Sequence, residues 1–195
     1  MRVFVAIDID ESIRARIASF MQGVASFAPD ARWVRPESLH ITLKFIGEQS
    51  ESEVAGVKKA LAKVKGESMQ IGICGHGFFP TLRSARVFWV GVETGPQLKA
   101  LAAAVDDATA SLGITKEDRP FSPHLTLARG GGGSGNPRRQ KGDRPNAGFQ
   151  RLQEKLTAMP VPDFGTMHVH GFSLYLSHLG RGGSKYEKLA SFKLE

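Results

Sequence analysis

Strand-like and helix-like segments alternate along the whole chain, and the links between some of the strands are short. A link such as residues 79–84 is too short for the crossover that parallel neighbours need. The pattern therefore predicts an α+β fold with antiparallel sheets, and a doubly wound α/β fold is the alternative. Runs of β-branched and aromatic residues place the strands at 2–8, 40–46, 69–78, 85–92, 124–128, 167–177 and 186–194, with a further extended stretch near 33.

Four helices separate these strands, each with apolar residues at helical spacing. Asp10 can cap the first helix, and Ser50 and Glu53 have the spacing of a capping box at the start of the second. Pro96 suits the first turn of the third helix, and a short fourth helix covers about 149–158. We expect the helices to pack on the outer faces of the sheets.

The composition limits the classes of protein to which the chain can belong. Its 195 residues fit one compact domain, and its formal charge of +7 is consistent either with a polyanionic partner such as nucleic acid or with an ordinary basic surface. No apolar run reaches the roughly 18 residues of a membrane span, and acidic residues interrupt the N-terminus too early for a signal peptide. Cys74 is the single cysteine, which excludes a disulfide within the chain. We therefore expect a cytoplasmic protein.

Residues 130–148 differ in composition from the rest of the chain. The first part is rich in glycine, and the second part has four basic residues against one acid, Asp143, a net charge of +3. We predict a flexible loop, which is either a solvated linker or a lid that contacts RNA. The four basic residues are Arg138, Arg139, Lys141 and Arg144.

A motif of histidine, an apolar residue, threonine and leucine occurs twice, beginning at His40 and at His124, 84 residues further on. Both copies fall in predicted strands, where successive side chains point to opposite faces. Each strand therefore buries its apolar residues and presents its histidine and threonine on the other face. If the two strands face each other across a cleft, they bring His40 and Thr42 together with His124 and Thr126.

These four residues suit the hydrolysis of a phosphodiester. Histidine titrates at about pH 6.5, so a neutral imidazole can take a proton from water while a protonated one gives a proton to the leaving oxygen. Threonine hydroxyls can donate hydrogen bonds to the phosphate oxygens on which charge accumulates. A single histidine in a strand is usually structural, but the repeated pair favours catalysis. We predict His40 and His124 as the catalytic pair, without a metal ion or a cofactor.

Strand alternation gives further predictions for three residues beside the motifs. Lys44 shares the face of His40, so it borders the cleft or its rim. Phe45 alternates into the core, and we prefer packing to base stacking for it. Arg129 alternates to the face opposite His124, and two interpretations of it stay open, a phosphate contact and a surface residue at a strand end.

The other histidines carry weaker signals. His168 and His170 alternate in sequence and can share a face, but no convincing third ligand lies nearby, so a metal site is not favoured. His76, in a glycine-rich strand, and His178, near a turn, are interpreted as ordinary residues.

Beyond its motifs, the sequence resembles a known family, the two-histidine phosphoesterases. Within that family it is similar to the bacterial and archaeal RNA 2′,3′-cyclic phosphodiesterases, also called 2′-5′ RNA ligase-like proteins. The resemblance covers nearly the whole chain and is carried by residues 2–7, 33–34, 39–48, 121–129, 174–177 and 185–187.

The resemblance implies a bilobal, pseudo-twofold α+β fold, with antiparallel sheets lining a central cleft and helices on the outer faces. One two-lobed domain would then cover residues 1–195. It also implies a product with a 2′-phosphate, His40 as proton donor, His124 as proton acceptor, and Thr42 and Thr126 on the phosphate. Arg129 is a further candidate for a phosphate contact, although the glycine-rich loop that follows it departs from the family.

Several functions and partners follow from these expectations. Hydrolysis of RNA 2′,3′-cyclic phosphate ends is the main prediction, with tRNA fragments among the candidate substrates. The alternatives are 2′-5′ RNA ligation, hydrolysis of a small cyclic nucleotide, and non-catalytic RNA binding, which the intact motifs argue against. We expect a monomer that needs no membrane and no protein partner.

Overall fold

A computed structural model describes residues 1–130, 146–180 and 183–195. The helices are α1 (Glu11–Val24), α2 (Glu51–Leu61), α3 (Pro96–Ala110) and α4 (Ala147–Thr157). The strands are β1 (Arg2–Asp8), β2 (Arg32–Trp33), β3 (His40–Glu48), β4 (Met69–Phe79), β5 (Val87–Glu93), β6 (His124–Arg129), β7 (Asp163–Val169), β8 (Gly171–Gly180) and β9 (Gly183–Lys193).

The strands form two sheets, ordered β3-β1-β8-β9 and β2-β6-β5-β4-β7. All the strand pairs described are antiparallel, which confirms the α+β prediction and excludes the doubly wound alternative. Four strands of each sheet correspond under a pseudo-twofold relation, β3 to β6, β1 to β5, β8 to β4 and β9 to β7. The short strand β2 has no counterpart and lies beside β6.

Helices cover the outer faces of both sheets, and each sheet with its helices forms one lobe. The chain crosses from one lobe to the other before helices α1 and α3. Helix α3 packs behind β3 of the first sheet, where Asp106 Oδ1 accepts a hydrogen bond of 2.6 Å from Lys44 Nζ. Helix α1 packs on the second sheet, where Arg16 Nη1 donates to the Phe164 carbonyl of β7 at 3.0 Å. Each of these helices follows a strand of one lobe and packs on the other lobe, so neither lobe is a continuous stretch of chain. Within the described ranges, no helix is long and apolar enough to cross a membrane.

Most helix signals in the sequence are confirmed. The side chain of Ser50 accepts a hydrogen bond from Glu53 N, and the Glu53 side chain accepts one from Ser50 N, which makes the predicted capping box. Helix α4 begins two residues earlier than predicted, because the Asn146 side chain accepts from the amides of Gly148 and Phe149. The predicted loop therefore ends before residue 148. Residues 131–145, with the predicted linker or lid, lie outside the described residues.

The prediction of a single strand over residues 167–177 is wrong. The segment is divided after Val169, so that β7 belongs to the second sheet and β8 to the first. Gly171 begins β8 so close to β9 that a Cβ on it would lie 2.4 Å from the Phe192 carbonyl oxygen. Apolar periodicity continues through both strands, which is why the sequence pattern alone does not show the change of sheet.

Candidate active site

The two motif strands, β3 and β6, lie against each other between the sheets. A cleft of about 650 Å³ opens there, and both motifs line it. The structure thus brings together the four residues that the sequence singled out as a site: His40, Thr42, His124 and Thr126. All four are partly buried, so each remains open to a ligand in the cleft.

The two imidazoles are held in the same way. His40 Nδ1 lies 2.7 Å from the Ser38 carbonyl oxygen, and His124 Nδ1 lies 2.7 Å from the Ser122 carbonyl oxygen. A carbonyl oxygen can only accept, so Nδ1 carries the hydrogen in both rings. The proton that each ring gains or loses is therefore the one on Nε2. In both cases the bond is to the residue two positions earlier in the chain.

Aromatic side chains pack around both imidazoles and fix their orientation. The Phe4 and Tyr186 rings lie 4.9 Å and 5.1 Å from the His40 ring, centroid to centroid. The Phe79 ring lies 5.0 Å from His124, nearly perpendicular to it. The rings therefore cover part of each imidazole, in agreement with its partial burial.

Burial and a nearby cation both lower the pKa values of the two histidines. Burial lowers the pKa of His40, the Ser38 hydrogen bond raises it, and the positive charge of Arg129 lowers it further. Burial likewise lowers the pKa of His124, with the same opposition from Ser122 and the same contribution from Arg129. The charge of one arginine therefore acts on both rings, and its side chain lines the same cleft.

A β-bulge in β3 overturns the predictions for Lys44 and Phe45. Thr42 pairs with Ala6, but the preceding residue of β1 pairs with Lys44, so Leu43 is an extra residue. The side chains of Leu43 and Lys44 are both buried, and alternation resumes one residue late. Phe45 then points into the cleft and is 59% exposed. Lys44 instead lies 2% exposed, bound to Asp106 and to the Thr115 carbonyl oxygen, each at 2.6 Å.

A matching bulge in β6 settles where Arg129 points. Thr126 pairs with Trp89, and the preceding residue of β5 pairs with Ala128, so Leu127 is the extra residue. Leu127 and Ala128 are both buried, and Arg129 is exposed on the cleft side. Strand alternation predicts Arg129 on the face of the sheet opposite to His124. That prediction is wrong, because the bulge inserts one residue and returns Arg129 to the face of His124.

The cleft is positively charged. Among the described residues that line it, the charged side chains are Arg2, Arg32 and Arg129, and no Asp or Glu is present. A carboxylate lies just outside, because Asp8 pairs with His40 across β1 and β3. Its oxygens contact the Tyr175 hydroxyl and Lys188 Nζ. Sequence reasoning missed Arg2, Arg32 and Asp8, since neither motif includes them and only the sheet register brings them close.

The other histidines lie outside this cleft. The rings of His168 and His170 are 4.8 Å apart, centroid to centroid, beside a second, shallower groove. The part of the chain that the structure describes contains no group of three or more His, Cys, Asp or Glu residues placed to hold a metal ion. His178 Nε2 lies 2.9 Å from Glu187 Oε2 on the surface, and His76 packs 6.2 Å from the Phe88 ring.

The fold and this pair of motifs define a phosphoesterase of the two-histidine class. The family model described as LigT-like phosphoesterase matches the chain twice, at residues 7–89 and 90–186. Each match contains one of the two motifs, in agreement with the pseudo-twofold relation of the strands. The chain belongs to this family of LigT-like phosphoesterases.

Comparisons with individual proteins agree with the family assignment. The chain is 33% identical over 193 residues to an RNA 2′,3′-cyclic phosphodiesterase of Archaeoglobus fulgidus, covering 99% of this chain and 100% of that one. The crystal structure of TT0787 of Thermus thermophilus superposes with a TM-score of 0.78 at 26% identity, covering 99% and 97%. Escherichia coli LigT complexed with 3′-AMP superposes with a TM-score of 0.76 at 28% identity, with the same coverage.

Proposed function

We propose that this enzyme hydrolyses the 2′,3′-cyclic phosphodiester at the 3′ end of an RNA chain and leaves a 2′-phosphate. The observation that carries the proposal is the matched pair of imidazoles, each with a hydrogen on Nδ1 and its Nε2 free for proton transfer, in one basic cleft. Relatives named RNA 2′,3′-cyclic phosphodiesterase support the substrate.

In the proposed reaction, His124 is the base and His40 is the acid. His124 Nε2 takes a proton from a water molecule as its oxygen attacks phosphorus. The bond from phosphorus to O3′ breaks, and His40 Nε2 gives its proton to O3′. The product is a 2′-phosphomonoester with a free 3′-hydroxyl, and a proton transfer through solvent restores both rings.

The position of Asp8 supports this division of roles. Burial and Arg129 lower the pKa of His40, but the Asp8 carboxylate acts in the opposite direction and raises it. His124 has no such carboxylate acting on it among the described residues. A carboxylate beside an imidazole favours its protonated form, which the acid must have, and it acts here against the larger effect of burial and against the charges of Arg129 and His124.

Three side chains are proposed to bind the phosphate. Thr42 and Thr126 lie two residues beyond the histidines on the same strand faces, so their hydroxyls can donate to the nonbridging oxygens. Arg129 supplies a positive charge near the phosphate, where negative charge builds up in the transition state.

We propose a cytoplasmic monomer of one two-lobed domain, acting on RNA ends such as those of tRNA fragments. The RNA-binding role of residues 131–145 is proposed from their charge alone.

Product analysis tests the proposed function. A short RNA ending in a 2′,3′-cyclic phosphate is incubated with the enzyme, and the product is examined by phosphorus NMR and by treatment with a phosphomonoesterase. We expect a 2′-phosphomonoester that the phosphomonoesterase removes. A 3′-phosphate would contradict the proposed leaving group, and joining of an added 5′-hydroxyl RNA faster than hydrolysis would favour ligation.

A further inference from the structure

The strand β2 places a second arginine beside Arg129. Arg32 of β2 is the register partner of Arg129 of β6, and both line the cleft. Neighbouring strands lie about 4.8 Å apart, so the two arginine side chains start from adjacent positions on one wall. The corresponding edge of the other lobe is the outer side of β3, which has no added strand among the described residues.

Buried contacts fix the position of this second arginine. Val34 N donates to the Leu127 carbonyl oxygen at 2.8 Å, so the segment is tied to the bulge that directs Arg129 into the cleft. Trp33 Nε1 donates to the Ala28 carbonyl oxygen at 3.0 Å, and the Trp33 ring packs edge-on against Phe88. The backbone of Arg32 is therefore held, while its side chain is exposed to a ligand.

The two walls of the cleft differ in charge. Arg32 and Arg129 form no ion pair with any carboxylate in the described parts of the chain. On the opposite wall, Arg2 has Glu48 as its register partner, and the Glu48 carboxylate binds the N-terminal amine of Met1 at 3.2 Å. A polyanion therefore meets two adjacent cations on the first wall, whereas the second wall contributes Arg2 alone, with the paired Glu48 just outside the cleft.

We propose that Arg32 binds the phosphodiester on the 5′ side of the terminal nucleotide, so that the enzyme prefers the end of an RNA chain to a cyclic mononucleotide. The inference rests on the proposed function. Arg129, whose charge reaches both imidazoles, lies by the reacting phosphate, and Arg32 is one strand further out. Two cations on one wall match two consecutive phosphates of a single RNA strand.

A substrate pair that differs only at this linkage tests the proposal. Both substrates are diadenylates ending in a 2′,3′-cyclic phosphate. The first has an ordinary internal phosphodiester, and the second has an uncharged methylphosphonate there. For the wild type, we expect kcat/KM to be about tenfold higher for the charged linkage, because a hydrogen bond to a charged group is lost in the neutral substrate. In Arg32→Gln, we expect this ratio to fall to about one.

Two variants with the same change of charge serve as controls. Arg2→Gln alters the other wall, and Arg151→Gln alters the outer helix α4, away from the cleft. Both should keep the wild-type ratio. A ratio near one in the wild type, an unchanged ratio in Arg32→Gln, or a loss of the ratio in Arg2→Gln would each overturn the inference. If the wild type hydrolyses neither substrate, the proposed function itself fails, which separates the two hypotheses.

Discussion

The strands β3 and β6 have the same local structure around their histidine and threonine. Each begins with a histidine bonded through Nδ1 to a carbonyl two residues earlier, and each has a threonine two residues later. Each also has a bulge directly after that threonine. The proposed acid and the proposed base therefore have equivalent backbone supports, so the difference in role that we propose must come from their surroundings.

The strands differ in the two residues that follow the bulge. The fourth residue after the histidine is Lys44 in β3, paired with Asp106 of α3, but Ala128 in β6. The fifth is Phe45 in β3 and Arg129 in β6, and both point into the cleft. The two imidazoles are therefore supported in the same way, whereas the cleft has an aromatic side chain beyond one histidine and a cationic side chain beyond the other, and we propose that these two side chains bind different parts of the substrate.

Removing either imidazole should have the largest effect. We expect His40→Ala and His124→Ala each to lower kcat for a cyclic phosphate by about 10²–10⁴-fold, since each removes a positioned acid or base. The double variant should be little worse than either single variant, because the two rings act as a unit. His168→Ala, which changes an exposed histidine outside the cleft, is the matched control for the kinetic assay. Activity near that of the wild type in either single variant would remove the pair from the mechanism.

The lysine of β3 should matter for stability. Lys44→Met leaves Asp106, which is only 18% exposed, without its cation, so we expect the free energy of unfolding to fall by about 3 kcal/mol. Lys65→Met breaks the exposed pair with Glu195 and should cost less than about 1 kcal/mol. Urea denaturation of both variants measures the difference. Equal losses would mean that the ion pair behind the bulge contributes no more than a surface pair.

Phe45 and Arg129, each five positions after its motif histidine, should contact different parts of the substrate. Arg129→Gln should lower kcat/KM about a hundredfold for every cyclic phosphate, because it removes a charge near the phosphate. Phe45→Leu should cost about tenfold or less and should act through the base, on which an exposed ring can stack. An abasic ribose 2′,3′-cyclic phosphate distinguishes them. The kcat/KM for this abasic substrate should fall in Arg129→Gln and stay unchanged in Phe45→Leu. A fall in Phe45→Leu without one in Arg129→Gln would contradict the proposed division of the cleft.

The sequence predicts the two motif strands and the antiparallel α+β architecture because those features are local. Alternation around His40 and His124 shows which face each strand buries, and the capping box at Ser50 marks a helix start. The positions of Phe45 and Arg129 are not predictable in this way. A bulge is detected only by counting residues on the neighbouring strand, and one extra residue reverses every later side chain.

Arg32 shows a second limit of sequence reasoning. The short strand β2 carries no alternation that could indicate its partner, and only the register with β6 puts Arg32 next to Arg129. The change of sheet at Val169 is hidden for a similar reason, since one continuous apolar pattern serves two strands. Long-range pairing decides all of these features, and a single sequence does not display it.

The pH dependence of kcat/KM for adenosine 2′,3′-cyclic phosphate, measured in excess chelator, tests the two-histidine mechanism most directly. One imidazole must be neutral and the other protonated, so we expect a bell-shaped profile. Burial and the charge of Arg129 lower the pKa of both His40 and His124, which places the maximum below about pH 6.5. Arg129→Gln removes a cation that lowers both pKa values, so its maximum should move to higher pH. A rate that does not vary between about pH 5 and 8, or that chelation abolishes and a divalent metal restores, would contradict the mechanism.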